Sequence, residues 1–425
     1  MNHSLNEQLL ARKAAATPRG VGVMAPFFAE RAEGAELWDV QGRRFIDFAG
    51  GIAVMNVGHG HPRVKAALQA QLERFTHTCY QVVPYEGYVS LAEKLNQLTP
   101  GTHAKKTAFF STGAEAVENA IKIARAHTKR AGVIAFGGAF HGRSLFAVAL
   151  TGKVQPYKAG FGPFPPEIYH APFPCHCASL DETKKAVAQL FKADIEASRV
   201  AAIVFEPVQG EGGFNVIQPG AVRWLRELCD QHGIVLVADE VQSGFGRTGH
   251  LFAMEHFGVV PDLLVSAKSL AAGLPLSAVT GRAEIMDAPA PGGLGGTYAG
   301  NPMAIAAAHA VIDIMADEQL PARGARLGDA LKARLEALRP RVPQIHDVRG
   351  LGAMVAVEFF HDGDHARPAP EIAKAVIAAA LQRGLLLLSC GSYGNVLRLM
   401  VPLTIEQAVL DEGLDLLAAA MDAAA

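Results

Sequence analysis

An acid and an amine, two groups with complementary chemistry, stand at the ends of two short apolar runs. The run Ile234 to Ala238 is followed by Asp239, and a second, mostly apolar run, Asp262 to Ala267, is followed by Lys268. Runs this short and rich in Val, Leu and Ile are typical of strands buried on both faces of a parallel sheet. Because ligands bind outside the carboxyl ends of such strands, both side chains are expected at a site.

Pyridoxal phosphate is a cofactor that requires both groups. It forms a Schiff base with a lysine, and a carboxylate keeps its ring nitrogen protonated so that the ring withdraws electrons. The structural alternative is that Asp239 caps the next turn and Lys268 is an ordinary solvated strand end. For either residue alone this alternative is favoured, because single matches carry a high rate of false positives.

A second candidate site lies where a predicted strand, Thr107 to Phe110, meets a predicted helix, Glu115 to Thr128. The turn between them is Ser-Thr-Gly-Ala, and small residues before a helix leave unpaired backbone N–H groups that bind phosphate. A plain capped helix, with Ser111 or Thr112 as N-cap, explains the same pattern. The residues alone do not separate these two interpretations.

The glycine-broken segment FHGRS follows another predicted buried strand. Phe140 is predicted to lie on a cofactor ring, since an aromatic face adds about 1 kcal/mol beyond its buried area. His141 is expected to be structural or to position another group. Arg143 is a candidate for binding a carboxylate, because the guanidinium fork matches that group.

Bulk composition limits the class of protein. The 425 residues are half hydrophobic and 19% charged, which is typical of a globular chain with two or more domains or subdomains. A formal net charge of −2 gives no electrostatic reason to expect nucleic acid or an anionic membrane as a partner. We find no apolar run long enough to span a bilayer and no secretory signal, and five cysteines make no disulfide framework. A reducing cytoplasm is therefore the expected location.

The segment HAPFPCHC raises the question of a metal. It contains His170, Cys175, His176 and Cys177. The spacing matches no zinc pattern and no second ligand pair follows along the chain, so the sequence predicts no metal site.

Strands and helices alternate from about residue 105 to residue 280, which predicts a mostly parallel α/β sheet. Residues 61–323 are predicted to form a large domain around this sheet, and residues 324–425 a smaller α+β domain. The hairpin pattern Glu36 to Phe48 turns at Gln41-Gly42, and the N-terminal segment 1–60 is predicted to join the small domain.

Six motifs now stand in order along the chain: STGAEAVENAIKIAR, FHGRS, EPVQGEGGF, DEVQSGFGRTG, SAKSLAAGLPL and GGLGGTYAGNP. Together they resemble the class III, ω-amino acid aminotransferases of the pyridoxal phosphate fold type I superfamily, from about Pro18 to the C-terminus. THTCYQVVPYE and SCGSYGNVLRLMVPLT further resemble the bacterial 4-aminobutyrate subgroup. The resemblance implies a seven-stranded, mostly parallel sheet in a large domain, with a smaller α+β domain.

The resemblance also implies a role for each matched residue. Lys268 would be the Schiff-base lysine and proton shuttle, and Asp239 would pair with the pyridine nitrogen. The remaining cofactor contacts would be Gln242 to the phenolic oxygen, Val241 and Phe140 on the ring, the backbone of Gly113 and Ala114 to the phosphate, and Thr297 to the phosphate of the neighbouring subunit. The substrate side would be lined by Ile52, Arg143, Glu211 and Arg398.

The implied reaction is the ping-pong transfer of an ω-amino group to 2-oxoglutarate in a homodimer or dimer of dimers. With 4-aminobutyrate as donor, the products are succinate semialdehyde and glutamate. Other donors stay open: 5-aminovalerate, ornithine or acetylornithine. The set Arg143, Glu211 and Arg398 argues for carboxylated ω-amines and against unsubstituted diamines, and Lys268 argues against a non-catalytic regulator with this scaffold. An intramolecular aminomutase is a further alternative, and it needs no 2-oxoglutarate.

Overall fold

The strands of the central and flanking sheets are short, as the apolar runs predict. The computed structural model describes residues 4–424. The strands, in chain order, are β1 (Ala29–Glu33), β2 (Glu36–Asp39), β3 (Arg44–Asp47), β4 (Lys105–Phe110), β5 (Gly132–Phe136), β6 (Ile168–Ala171), β7 (Val200–Phe205), β8 (Val208–Gln209), β9 (Asn215–Val216), β10 (Val235–Asp239), β11 (Leu263–Ser266), β12 (Ser277–Arg282), β13 (Ile345–Leu351), β14 (Met354–Phe359), β15 (Leu385–Leu386), β16 (Leu388–Cys390) and β17 (Val396–Leu399).

Helices alternate with these strands through the middle of the chain and cluster towards its end. In chain order they are α1 (Leu5–Ala16), α2 (Gly50–Ala53), α3 (Pro62–Leu72), α4 (Glu86–Leu98), α5 (Gly113–Thr128), α6 (Leu145–Leu150), α7 (Leu180–Ala193), α8 (Pro219–His232), α9 (Ala283–Met286), α10 (Pro302–Asp317), α11 (Leu320–Glu336), α12 (Pro370–Gln382) and α13 (Gln407–Ala424). None of the helices in residues 4–424 is long and apolar enough to cross a membrane.

Seven strands form the central sheet, in the order β4-β12-β11-β10-β7-β5-β6. Strands β11, β10, β7, β5 and β6 run parallel, whereas β12 is antiparallel to both β11 and β4. The mostly parallel seven-stranded sheet predicted from the sequence is confirmed.

Helices on both faces explain why the middle strands are apolar without alternation. Val133 and Val237 pack with Val117 of α5 on one face, and Ile134 packs with Leu225 of α8 on the other. Because successive side chains of a strand point to opposite faces, every position of such a strand must be apolar. The sheet is therefore a rigid base, and its strand ends hold polar side chains in fixed places.

Two four-stranded sheets accompany the central one, and β8 and β9 form a two-stranded sheet. Strands β13, β14, β17 and β16 form an antiparallel sheet, and β1, β2, β3 and β15 form a mixed one, in which β15 is parallel to β3. In the second sheet, Ile46 of β3 is paired with Leu385 of β15, so the N-terminal hairpin joins a strand from the end of the chain. The division of the chain at residues 60 and 323 stays a prediction; α11 runs across the second of these positions.

Three segments differ from what their sequence predicts. The glycine-rich entry of Val348 to Phe360 predicts a single strand, but the stretch is the greater part of a hairpin, because Gly352, at φ +51°, turns β13 back into β14. The sequence of residues 163–180 predicts an irregular segment, yet β6 adds an edge strand there by pairing with β5. The sequence from Leu385 to Leu403 predicts two strands, and the structure has three.

Candidate active site

A cavity of about 320 Å³ opens at the carboxyl ends of the central parallel strands. That volume is in the range of sites that hold a cofactor or substrate. Eight of the residues singled out in the sequence line it: Gly113, Ala114, Phe140, Glu211, Asp239, Val241, Gln242 and Lys268. Four others, Ile52, Arg143, Thr297 and Arg398, are outside this lining.

Asp239 ends β10 and is held from two sides. Its Oδ2 lies 2.7 Å from Nδ1 of His141, and its Oδ1 accepts a hydrogen bond of 3.0 Å from the backbone N–H of Val241. Each carboxylate oxygen has two lone pairs, so Asp239 keeps acceptor capacity towards the cavity. The side chain is 3% exposed, which fixes its orientation.

His141 is completely buried behind Asp239 and was assigned no more than a positioning role from the sequence. Its Nε2 has no hydrogen-bond partner within residues 4–424. Burial works to lower the pKa of His141, but the hydrogen bond to Asp239 and the nearby carboxylates of Asp239 and Glu206 raise it above its ordinary value. The cationic form of His141 is therefore favoured beside these carboxylates.

Glu206 belongs to the same buried group, and the sequence analysis gave it no role. It follows the last residue of β7 and accepts hydrogen bonds from the backbone N–H groups of Phe140, at 2.8 Å, and Gly210, at 2.9 Å. Burial raises the pKa of Glu206 to about 7. Glu206 therefore fixes the backbone that presents Phe140 to the cavity.

Lys268 follows β11 and begins a short 3₁₀ turn, Lys268–Ala271. Its φ is +49°, a left-handed conformation that non-glycine residues seldom adopt and that is often found at functional sites. The next residue stabilises this turn, because Ser269 Oγ donates a 2.8 Å hydrogen bond to the carbonyl of Ala53. Burial lowers the pKa of the Lys268 amine to about 8, with Arg398 acting in the same direction and Glu211 against it.

The N-terminus of α5 is capped and also offers free donors. Thr112 is the N-cap, and the Glu115 carboxylate accepts from the N–H groups of Ser111, at 2.8 Å, and Thr112, at 3.1 Å. Gly113 and Ala114 follow as the first two residues of the helix, so their N–H groups have no carbonyl one turn earlier. The capped helix is therefore present, and the N–H groups of Gly113 and Ala114 remain available to an anion.

Close packing explains the glycine at the start of α5. A β-carbon on Gly113 would lie 3.0 Å from Cγ1 of Val241, which is too close for an ordinary contact. Val241 thus fills the space beside the helix start and forms part of the cavity wall. Gln242 follows it, and the buried Oε1 of Gln242 has no partner among the residues that the structure describes. An unpaired buried acceptor is costly, so Oε1 is suited to a ligand donor.

Tyr157 connects Phe140, Arg143 and Glu211, and sequence analysis missed it. Its ring lies 4.9 Å from that of Phe140 and 5.1 Å from the Arg143 guanidinium, and its hydroxyl donates to Glu211 Oε2 at 3.3 Å. Burial, with the negative charge of Glu211, raises the pKa of Tyr157 to about 12, so the phenol stays neutral. Arg143 itself is exposed beside this cluster.

Glu211 and Arg398 form an ion pair at the side of the cavity. Arg398 lies on β17 with its side chain 1% exposed, and its Nε has no acceptor among residues 4–424. Burial works to raise the pKa of Glu211, but the charge and hydrogen bond of Arg398 bring it below its ordinary value. The backbone carbonyl of Glu211 accepts a 2.9 Å hydrogen bond from Gly391, so the loop is also attached to the β16–β17 turn.

Ile52 and Thr297 lie on exposed backbone. Ile52 is 36% exposed and has a φ of +63° within α2. Thr297 is exposed in the glycine-rich loop 291–300, where Tyr298 is 67% exposed. Gln81 holds this loop with a 2.8 Å hydrogen bond to the carbonyl of Leu294.

A parallel sheet with β12 inserted antiparallel, an acid at the end of β10 and a lysine after β11 define a fold type I pyridoxal phosphate-dependent transferase. The match to the family described as aminotransferase class-III covers residues 16–421, so the chain belongs to that family of aminotransferases.

Relatives and solved structures agree with this assignment. The chain is 55% identical to 4-aminobutyrate aminotransferase GabT of Escherichia coli K12 over 421 residues, which is 99% of each chain. It is 54% identical to 5-aminovalerate aminotransferase DavT of Pseudomonas aeruginosa over 419 residues, 98% of each chain. An ornithine aminotransferase of Toxoplasma gondii ME49 superposes with a TM-score of 0.86 at 31% identity, covering 99% of this chain and 96% of that one. A Bacillus anthracis aminotransferase gives 0.91 at 28% identity, covering 99% of both.

Proposed function

We propose that this aminotransferase uses pyridoxal 5'-phosphate to transfer the amino group of 4-aminobutyrate to 2-oxoglutarate, giving succinate semialdehyde and glutamate. The observation that carries the proposal is the Glu211–Arg398 ion pair beside the Lys268 cavity, because it offers a carboxylate site that is occupied from within the protein. The similarity to GabT of Escherichia coli supports the choice of donor. The similarity to DavT supports 5-aminovalerate as the second candidate donor.

The residues of the cavity fit a phosphorylated pyridine aldehyde. The unpaired Oε1 of Gln242 is an acceptor in need of a donor, and the start of α5 presents the N–H groups of Gly113 and Ala114 to an anion. Asp239 is a buried carboxylate for a protonated ring nitrogen, and Lys268 is an amine whose pKa burial lowers. Val241 and Phe140 would bound the ring on its two faces, and Thr297 of a second copy would add a phosphate contact.

When bound, the cofactor supplies an electron sink for the carbon that loses a proton. Lys268 removes and returns that proton, and it serves as a base because its pKa of about 8 leaves a large neutral fraction near that pH. Asp239 is held in place by His141, which is buried and bonded to Oδ2 at 2.7 Å. The chain thus contributes a base, an orienting acid and a closed environment.

Two unlike substrates must fit one cavity. Glutamate has two carboxylates, whereas 4-aminobutyrate has one, distant from its amine. We assign the distal carboxylate of both to Arg143 and the α-carboxylate of glutamate to Arg398. Ile52 would line the path to them. When 4-aminobutyrate binds, Arg398 would be an unpaired buried charge, at a cost of several kcal/mol, roughly, unless Glu211 neutralises it.

The glycines around Glu211 would allow its side chain to take two positions. Glycines stand on both sides of Glu211 in the sequence GEGG, and Gly213 has a φ of +120°. In the described structure the carboxylate is on Arg398, the position required for 4-aminobutyrate. Swinging away from Arg398 would free the guanidinium for glutamate or 2-oxoglutarate.

We further propose that the active form is a homodimer, or a dimer of dimers, located in the cytoplasm. The glycine-rich loop 291–300 exposes Thr297 and Tyr298, while its Leu294 packs against the core of the central sheet. A second copy that covers this loop would receive Thr297 at its own phosphate site. The site would then be complete in the dimer alone.

A donor panel tests the proposal. Purified protein is assayed with 2-oxoglutarate and each of 4-aminobutyrate, 5-aminovalerate, ornithine and acetylornithine, and the glutamate produced is measured. The proposal expects kcat/KM to be highest for 4-aminobutyrate. A higher value for 5-aminovalerate would transfer the assignment to that donor, and conversion without 2-oxoglutarate would identify a mutase instead.

A further inference from the structure

A cluster of thiols and imidazole lies outside the cavity, in the turn between β6 and α7. Sγ of Cys175 is 3.3 Å from Sγ of Cys177, and Nε2 of His176 is also 3.3 Å from Sγ of Cys177. Cys175 is 4% exposed, whereas Cys177 is exposed. The backbone holds this turn closed, since the Cys175 N–H donates a 3.0 Å hydrogen bond to the carbonyl of Ala178.

A fourth donor comes from a distant part of the chain. Glu358 lies on β14, and its Oε2 is 3.8 Å from Nε2 of His176. The donor atoms of Cys175, His176 and Cys177 all lie within 4.8 Å of one another, and those of His176, Asp347 and Glu358 form a second such group that shares His176. No second ligand pair follows this segment along the chain. The fold instead brings the carboxylate of Glu358 to it from another sheet.

We propose that Cys175, His176, Cys177 and Glu358 bind one Zn²⁺ ion. Two thiolates, one imidazole and one carboxylate are ligands that zinc accepts in tetrahedral geometry, and thiolates select against Mg²⁺ and Ca²⁺. A Zn–S bond of about 2.3 Å places two thiolates about 3.8 Å apart in a tetrahedron. The thiols, at 3.3 Å, need to separate by only about half an ångström to reach it.

The charges around the cluster suit a divalent ion. Binding releases the two thiol protons to solvent, which leaves two thiolate charges beside the carboxylate of Glu358. Arg349 stands next to them, with Nη1 2.6 Å from Glu358 and 2.9 Å from Asp347. The ion and Arg349 together carry three positive charges against the four negative charges of two thiolates, Glu358 and Asp347, and partly buried charges require such pairing.

The proposed ion would also join two parts of the fold. The turn that carries the two cysteines follows the central sheet, and Glu358 belongs to the antiparallel sheet of β13 and β14. Arg349 extends the connection, because its Nε donates a 2.9 Å hydrogen bond to the carbonyl of Gly213 in the Glu211 loop. Zinc bound here would therefore help to hold Arg349, and through it the Glu211 loop, in position. The inference is independent of the donor assigned to the enzyme.

Metal titration of the reduced holoenzyme tests the site. The protein is kept with a phosphine reductant, stripped with a chelator and dialysed, and then titrated with Zn²⁺ against a chromophoric competitor. One tightly bound equivalent per chain is expected. Co²⁺ in place of Zn²⁺ should give the intense long-wavelength bands of a tetrahedral site and a thiolate charge-transfer band, which are read as a difference spectrum against the metal-free holoenzyme.

Matched variants identify the ligands. Cys177→Ser and His176→Gln alter exposed or half-exposed side chains, so folding is preserved, and each should weaken Zn²⁺ binding at least about tenfold. Glu358→Gln should weaken it similarly. Cys79→Ser, at a thiol elsewhere, is the cysteine control. Equal affinity in the parent and Cys177→Ser proteins, a cobalt spectrum without sulfur charge transfer, or a Cys175–Cys177 disulfide that persists in reductant would overturn the proposal.

Discussion

Oδ2 of Asp239 lies 2.7 Å from Nδ1 of His141, and the two side chains are 3% and 0% exposed. The acid that faces the cavity is thus held by a fully buried histidine that also borders the cavity. Such an arrangement resembles the outer groups that orient metal ligands or catalytic acids in other sites, where their loss costs 10- to 100-fold in activity. His141 is therefore assigned as a positioning residue that acts through Asp239.

Replacing His141 tests that assignment. His141→Ala is expected to lower kcat by about 10- to 100-fold while Lys268 still bonds to the cofactor, because Asp239 loses the group that orients it. The absorption band of the bound cofactor should shift its pH dependence, a change that a merely structural histidine would not produce. His309→Ala is the control. His309 lies on α10, and its Nε2 is 3.0 Å from the carbonyl oxygen of Gly87. Unchanged kcat and spectrum in His141→Ala would contradict the role.

Lys268 gives a prediction about pH. Its pKa, lowered by burial to about 8, is below that of an exposed lysine, and only the neutral amine reacts with an aldehyde. The rate at which the cofactor bonds covalently to the metal-free, cofactor-free protein should therefore rise about tenfold per pH unit below pH 8 and level off above it. Stopped-flow absorbance measures this rate.

Substitutions at Lys268 supply the controls for that experiment. Lys268→Ala should lose the covalent band and about 10⁴-fold or more of kcat, because the base and the bonding amine are both removed. Lys268→Arg keeps the positive charge, but its guanidinium stays protonated and so does not act as a base. This variant should be equally inactive. A levelling-off near the ordinary lysine pKa, or an unchanged spectrum in Lys268→Ala, would contradict the assignment.

The sequence predicted the parts of the site that follow directly from strand ends. Asp239 and Lys268 were found because a buried parallel strand is an apolar run with a recognisable last residue. Glu206 carries the same signal, after the run VAAIVF of β7, and the same rule applied to β7 would have found it. Tyr157 gave no such signal, because it comes from a segment without periodicity and reaches Glu211 only through the fold.

Contacts between distant segments also limit what the sequence predicts for the hairpin β13–β14. The hairpin β13–β14 was predicted as one strand because Gly350 and Gly352 look like a loose entry in the sequence. In the fold a β-carbon on Gly352 would overlap the backbone of Thr248, so this glycine is required by a neighbour that the sequence does not identify. The position of Glu358 beside His176 depends on the same hairpin.

The Glu211–Arg398 pair predicts opposite effects on the two half-reactions. Glu211→Ala leaves Arg398 buried without a partner when 4-aminobutyrate binds, so that half-reaction should slow by about 10²-fold, while the glutamate half-reaction is nearly unchanged. Arg398→Ala should slow the glutamate half-reaction instead. Single-turnover absorbance follows each half-reaction separately. Equal losses in both for Glu211→Ala would refute the switch.

Thr297 predicts that activity is shared between subunits. Thr297→Ala should weaken cofactor binding, and Lys268→Ala should be inactive, yet subunit exchange between them would create one site with both native residues. Mixed protein should regain up to about a quarter of the parent activity if exchange is random and the two subunits of a dimer contribute to each site. A fully active monomer in analytical ultracentrifugation, or no recovery on mixing when exchange is demonstrated, would exclude the shared site.

Arg247 predicts a large effect on stability without a direct role in the reaction. It is 0% exposed, it donates a 2.7 Å hydrogen bond to the carbonyl of Val401 and a longer one to that of Ala353, and it also bonds Asn56. These partners lie on three separate segments, so one guanidinium joins the N-terminal region, the β10–β11 connection and the antiparallel sheet. Burial lowers the pKa of Arg247 to about 9, which reflects the cost of placing its charge there.

Removing that guanidinium should leave buried carbonyls without a donor. Arg247→Met, which keeps the length of the side chain, is expected to lower the free energy of unfolding by about 3 kcal/mol, since each unsatisfied buried acceptor costs about 1–3 kcal/mol. Denaturant unfolding of the holoenzyme at fixed cofactor concentration measures the change, because bound ligand itself contributes to stability. Arg323→Met is the comparison, since Arg323 is partly buried and bonds a single carbonyl, that of Ile405. If the two variants lost equal stability, the proposed junction at Arg247 would be wrong.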